Sequence, residues 1–235
     1  MKAPKTAMIL AAGRGTRMGS LTTDRPKPLL QVAGRTIIDH VLERLTGAGV
    51  ERVVVNLHHR GDMIRDHLAR VNDVDILFSE EAELLETGGG IAKALPLLGN
   101  APFFTVNGDV VWLDRTDDSL TLLAERFEPS EMDALLLLQP CVDAVGYGGR
   151  GDFLMDASGR LKRRPEVGMA PFVYTGVQLL SPALFADCPS GPFSLNRLYD
   201  RALEARRLYG LRHEGLWMEL NTPDGMAAAN AALAS

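Results

Sequence analysis

Apolar and polar positions follow two rhythms along the first half of the chain. Short apolar runs at Thr6–Ala11, Arg52–Leu57, Val74–Phe78 and Pro102–Val106 have the length of buried strands. Between them, Ile37, Ile38, Val41, Leu42 and Leu45 repeat at helical spacing, and Gly47 and Gly49 close that helix. Met63, Ile64, His67 and Leu68 mark a second helix, and Ile91–Leu98 a third. A helix near Asp118–Phe127 and a buried strand at Ala134–Leu138 continue the series. This alternation predicts an α/β fold with a mixed, mostly parallel central sheet, right-handed crossovers and helices on both faces, an α/β/α sandwich of three layers.

The second half is less regular. Phe153–Met155, Phe172–Leu180, Leu208–Arg212 and Leu216–Leu220 read as strands, with a helix near Leu195–Ala205 and another closing the chain. These strands are expected to extend the sheet and to cover one side of a cleft. No repeat, low-complexity tract or linker divides the 235 residues, so one domain is expected over 1–235.

Charge and cysteine content narrow the setting. A net charge of −5, with no basic tract, argues against a nucleic-acid partner. Cys141 and Cys188 are far apart and lack CxxC spacing, the pattern of free thiols in a reducing compartment. The apolar run Met8–Ala12 is too short for a signal-peptide core, and no stretch approaches the ~20 apolar residues of a membrane span. A cytoplasmic protein with no membrane partner is expected.

The chemistry concentrates after the strands, where open parallel sheets bind ligands. The first strand runs into Gly13-Arg14-Gly15-Thr16-Arg17-Met18, the third into Glu80–Gly90 and the fourth into Asn107-Gly108-Asp109. Gly13 and Gly15 let backbone N–H groups approach a phosphate. A dinucleotide site would need a third glycine and an acid after the second strand, which instead ends at Asn56 and Leu57. No Gly-Lys-Ser/Thr follows, so a P-loop fails too. In Pro26-Lys27-Pro28-Leu29 two prolines stiffen the chain around one ammonium, which with Arg17 can neutralise a triphosphate. Asp109, after an apolar strand, is a natural Mg²⁺ ligand beside such a phosphate.

Leu10–Met18 with Pro26–Leu29 resembles the signature of the sugar-1-phosphate nucleotidyltransferases. Glu86-Thr87-Gly88-Gly89-Gly90, Val106–Asp109 and Gly149-Arg150-Gly151-Asp152-Phe153 sharpen the likeness towards the N-acetylmuramate-1-phosphate uridylyltransferases. The resemblance implies the Rossmann-like nucleotidyltransferase fold, with a nucleotide-binding half at about 1–115 and a sugar-binding half at about 116–235. It implies UTP and a sugar 1-phosphate as substrates, and Mg²⁺ as cofactor. The nucleotide contacts it implies are Ala11, Ala12, Gly13, Gly15, Thr16, Arg17, Lys27, Gly88 and Asn107, with Arg17, Lys27 and Asp109 catalytic. The sugar contacts are Asn107, Asp152, Thr175 and Gly176, and the metal ligands Asp109 and Glu219.

The chain departs from the family near its end. Where the family usually shows Trp-x-Asp-x-Gly-Thr, this sequence has Trp217-Met218-Glu219-Leu220-Asn221-Thr222. Glu219 keeps the charge with one more methylene, and Asn221 can adopt the left-handed backbone that a glycine position might need. The five histidines show no metal-ligand spacing. Two other readings stay open: a guanylyltransferase for mannose 1-phosphate or a heptose phosphate, and a nucleotide-binding regulator that has lost its chemistry.

Overall fold

The structure, a computed structural model, describes residues 3–234, so both ends of the expected domain 1–235 lie outside it. The chain begins with β1 (Thr6–Leu10) and a hairpin of β2 (Gln31–Val32) and β3 (Arg35–Thr36). It then alternates α1 (Ile37–Gly47), β4 (Arg52–Leu57), α2 (Gly61–Leu68), β5 (Asp75–Glu80), α3 (Glu86–Leu98) and β6 (Phe103–Asn107). Next come β7 (Val110–Leu113), α4 (Ser119–Arg126), β8 (Ala134–Pro140), β9 (Ala144–Val145), β10 (Phe153–Met155), β11 (Leu161–Arg163) and β12 (Phe172–Leu180). It closes with α5 (Asn196–Glu204), β13 (Leu208–Arg212), β14 (Leu216–Glu219) and α6 (Pro223–Ala234).

A nine-stranded sheet forms the middle layer. Its main path runs β5-β4-β1-β6-β12-β8-β13; β12 alone on that path is antiparallel to its neighbours. Hairpin β10–β11 adds to the first residue of β12. Strand periodicity sorts the side chains between two cores. Ala7, Ile9, Val53 and Val55 face α1, α2 and α4, whereas Met8 and Val54 face α3 and α5. Helix α1 starts where its sequence signals, with the Thr36 side chain accepting from Asp39 N at 3.3 Å.

The short strands β2, β3, β9 and β11 had no counterpart in the sequence reading, and three further elements differ from it. Helix α3 begins at Glu86, five residues before Ile91, because Gly88–Gly90 are wound into its first turns under Phe193 and Glu81. Strand β7 (Val110–Leu113) had no counterpart in the sequence reading; only two residues separate it from β6. Strand β14 leaves the main sheet and pairs with β7 and β9 in a three-stranded sheet. The physical reason lies in its alternation. Trp217 packs into the core under α1 and α4, and Met218 into a third core with Met18, Ile37, Val111 and Met226 beneath α6. Cys141 and Cys188 are free and half-buried, and among the described residues no helix is long and apolar enough to cross a membrane.

Leu45 is fully buried on the inner face of α1. A Leu45→Ala variant should lose about 2–5 kcal/mol of stability through lost burial and a residual cavity, read as a lowered urea midpoint at unchanged slope.

Candidate active site

A cleft of about 460 Å³ opens beyond the carboxyl ends of β1, β4, β5 and β6, lined by the three segments expected to converge there. The loop after β1 forms one wall. Ala11 and Ala12 are buried, while Gly13, Thr16 and Arg17 are exposed, and Met18 anchors the loop in the third core. Gly15 turns the chain at φ 62°, and a Cβ there would stand 3.2 Å from Lys27 Cβ. The loop therefore leans on the lysine stem. Arg17 makes no side-chain hydrogen bond or ion pair among the described residues and is available to a ligand.

Lys27 lies in a short 3-10 turn between its two prolines and is only 5% exposed. Its ammonium donates to Asp109 Oδ2 at 2.7 Å and to Asn221 Oδ1 at 2.8 Å. Asn221 Nδ2 in turn donates to Glu219 Oε1 at 3.0 Å. Asp109, Lys27, Asn221 and Glu219 thus form one continuous chain of polar contacts. Backbone pairing brings the two acids together: Glu219 stands opposite Val110, the residue after Asp109. Asn221 is not in the left-handed region, contrary to the role considered for it; its side chain bridges the neighbouring charges instead.

The donor set suits a hard divalent cation. Asp109 Oδ1 and Glu219 Oε2 have no hydrogen-bond partner, and among the described residues no group of three or more His, Cys, Asp or Glu forms a metal cage. Mg²⁺ favours one or two carboxylates completed by substrate phosphate and water.

The ribbon β7–β14 that carries these acids is clamped at its other end. Asp114 follows Leu113, which pairs with Leu216. Its carboxylate contacts His213 Nε2 at 3.2 Å and Arg44 Nη1 at 3.3 Å, and accepts from Ser119 Oγ. Burial pushes the Asp114 carboxyl up, but the His213 and Ser119 hydrogen bonds and the Arg44 charge together hold it below its ordinary value.

A buried network missed in the sequence joins two walls. Asn56 Oδ1 accepts from Ala11 N at 2.7 Å, and Asn56 Nδ2 donates to Glu81 Oε1 at 2.7 Å. Glu81 Oε2 accepts from Leu85 N at 3.0 Å, so Asn56 and Glu81 link the loops after β1 and β5. The signal available was an Asn in an otherwise apolar strand and an acid at a strand end.

Other expected contacts divide. Asn107 lines the cleft, as do Glu86, which holds an uncommon φ of 58°, and Thr87. Gly88 stands behind that wall: its N–H donates to Phe193 O at 2.9 Å, and an added Cβ would meet the Phe193 ring at 2.3 Å. Thr175 is fully buried; its hydroxyl donates to Leu137 O at 2.8 Å and its carbonyl accepts from Trp217 Nε1 at 2.9 Å. Gly176, at φ 85° in the β12 bulge, backs onto Asn107, and Asp152 Oδ2 accepts from Tyr174 N at 2.9 Å beside it. Asp152, Thr175 and Gly176 are thus gathered at one bulge, outside the lining of the cleft.

This fold and this cleft are those of a nucleotidyltransferase. The MobA-like NTP transferase domain matches residues 7–143, and the chain belongs to that family. Among curated relatives, the N-acetylmuramate alpha-1-phosphate uridylyltransferase of Caulobacter vibrioides is 41% identical over 99% of this chain and 98% of its own. The enzyme of the same name from Neisseria meningitidis serogroup B is 40% identical over 92% of this chain and 93% of its own. In fold, a UDP-glucose pyrophosphorylase complexed with UDP-glucose superposes at TM-score 0.82 over 98% of both chains, at 16% identity.

An Asp114→Asn variant should lose about 2 kcal/mol at pH 7, the scale of hydrogen bonds to a charged group. A depressed folded-state pKa contributes stability above the unfolded value and loses it as pH falls through the folded one. The deficit should therefore be complete above the ordinary value of 3.8 and shrink at lower pH, as read from urea unfolding of both proteins across pH 2.5–7.

Proposed function

We propose that this chain transfers the uridylyl group of UTP to N-acetylmuramate 1-phosphate, giving the UDP-sugar and pyrophosphate, in the cytoplasm. The observation that carries the reading is 41% identity to the Caulobacter vibrioides enzyme across nearly the whole of both chains, together with the Lys27–Asp109 contact in the cleft.

The reaction is an in-line displacement. An oxygen of the sugar phosphate bonds to the α-phosphorus of UTP as the α–β bridging bond breaks, and pyrophosphate departs with the electron pair. The attacking phosphate is anionic near neutral pH, so positioning and charge neutralisation suffice without a general base. Asn56 and Glu81 hold Ala11 at the nucleotide end, and Glu86 and Thr87 face the base. Arg17, exposed on the loop after β1, offsets charge on the departing pyrophosphate. Lys27 uses two of its three donors on Asp109 and Asn221 and keeps the third for a phosphate oxygen. Asp109 and Glu219 would hold Mg²⁺, which when bound supplies Lewis-acid charge beside the α-phosphate. Asp152 and the Gly176 bulge shape the sugar end next to Asn107.

Pyrophosphate release with Mg²⁺ tests the reading, crossing UTP and GTP with N-acetylmuramate, N-acetylglucosamine and mannose 1-phosphates. Turnover should require UTP and favour the muramyl substrate; GTP with mannose 1-phosphate, or binding without turnover, would overturn it. Lys27→Ala should lower kcat about 10²–10³-fold, or roughly 2.7–4 kcal/mol, and near-normal turnover would remove Lys27 from this role.

A further inference from the structure

We propose that Asn221 is a positioning residue that sets the Glu219 carboxylate, and that Glu219 and Asn221 act as a matched pair. The proposal rests on the functional reading above, because it assigns Glu219 to the cation held with the nucleotide.

The geometry leaves the Asn221 amide one orientation. Its oxygen accepts from the Lys27 ammonium at 2.8 Å and its nitrogen donates to Glu219 Oε1 at 3.0 Å. Flipping the amide would set an NH₂ against an ammonium and a carbonyl against a carboxylate, and both contacts would repel. The amide is therefore polarised by a cation on one side and an anion on the other, which strengthens both hydrogen bonds. The contact also keeps the two charges apart. Lys27 is directed to Asp109 at 2.7 Å, and the two carboxylates keep Asp109 Oδ1 and Glu219 Oε2 unengaged.

Side-chain length matters to this arrangement. A glutamate has one more rotatable bond than an aspartate, and an unrestrained carboxylate must lose that freedom when it binds a cation. The Asn221 amide removes it beforehand by fixing Oε1. Backbone contacts fix the other end: the Glu219 carbonyl packs against Gly225, where an added Cβ would meet it at 2.2 Å. Shortening the acid alone withdraws the carboxylate from Nδ2 and leaves that donor unmatched. Removing the amide alone frees a long acid beside an under-matched ammonium. Changing both leaves neither an unmatched amide donor nor a long unrestrained acid, and the under-matched ammonium is the loss already present in the Asn221 variant.

A double-mutant cycle tests the pairing through metal binding as well as turnover. Mn²⁺, a spectroscopic stand-in for Mg²⁺ at oxygen sites, is titrated by its EPR signal into wild type, Asn221→Gly, Glu219→Asp and the double variant, each with UTP present. Each single variant should weaken Mn²⁺ binding about tenfold, and the double variant should be no weaker than either, a coupling of about 1.4 kcal/mol. In turnover, kcat should fall in each single variant with the KM for the sugar phosphate held within about threefold. Additive losses, near a hundredfold in the double variant, would overturn the proposal, as would a wild type that binds no Mn²⁺ with UTP. A wild type showing the coupling but inactive on every sugar phosphate would uphold the pair and overturn the functional reading instead.

Discussion

The burial of one ammonium group organises this cleft. Removing a cation from water costs several kcal/mol unless it is closely paired, and Lys27 is 5% exposed. Its two contacts, to Asp109 and Asn221, come from segments 82 and 194 residues away. They can form only when the proline-flanked turn, the β6–β7 junction and the end of β14 are all in place. The loop after β1 depends on the same side chain, because Gly15 rests against its stem. An ion pair of this kind adds little to stability by itself. Its consequence is positional: a cation, two acids and the glycine loop after β1 share one anchor.

The ribbon β7–β14 extends that anchor through the molecule. Its pairs run from Glu219 opposite Val110 to Leu216 opposite Leu113. Trp217 and Met218 point into different cores, so the ribbon is gripped on both faces. At the far end, Asp114 binds Arg44 of α1, His213 after β13 and Ser119 of α4. The acids at the near end are therefore tied to helices that do not line the cleft, and the placement of Asp109 and Glu219 is inherited from the packing of both halves of the chain.

Much of this was legible in the sequence because it is written in short-range patterns. The apolar runs and the helical repeat of Ile37 to Leu45 locate β1, β4, β6 and α1 to within a residue or two. The two glycines after β1 and the prolines around Lys27 are local backbone requirements, visible without a partner. What stayed hidden depends on contacts distant in sequence. A periodicity argument has little to say about β7, four residues long and paired with a strand over 100 positions later. The resemblance puts Gly88 among the nucleotide contacts, whereas the Phe193 ring and carbonyl fill the space where its side chain would stand. Asn221 invited a backbone explanation, whereas its side chain is the part the structure uses.

The bulge in β12 shows why polar residues near a cleft divide between two tasks. The Thr175 hydroxyl already donates to Leu137 O and accepts from Val177 N at 3.2 Å, and its carbonyl serves Trp217. A group with its donor and acceptors in use has little left for a substrate, so Thr175 acts through the shape it gives the bulge. Asp152 differs: Oδ2 accepts from Tyr174 N, and among the described residues its other oxygen accepts no hydrogen bond. That oxygen can accept a further hydrogen bond without the strand losing its anchor. The glycine between them, Gly176, presses against Asn107, where a Cβ would come within 2.8 Å of the amide nitrogen. Asn107 lines the cleft, so the position of the bulge sets that of a residue in the cleft wall. The saturated hydrogen bonding of Thr175 thus holds the bulge in place, and with it the glycine that presses on Asn107.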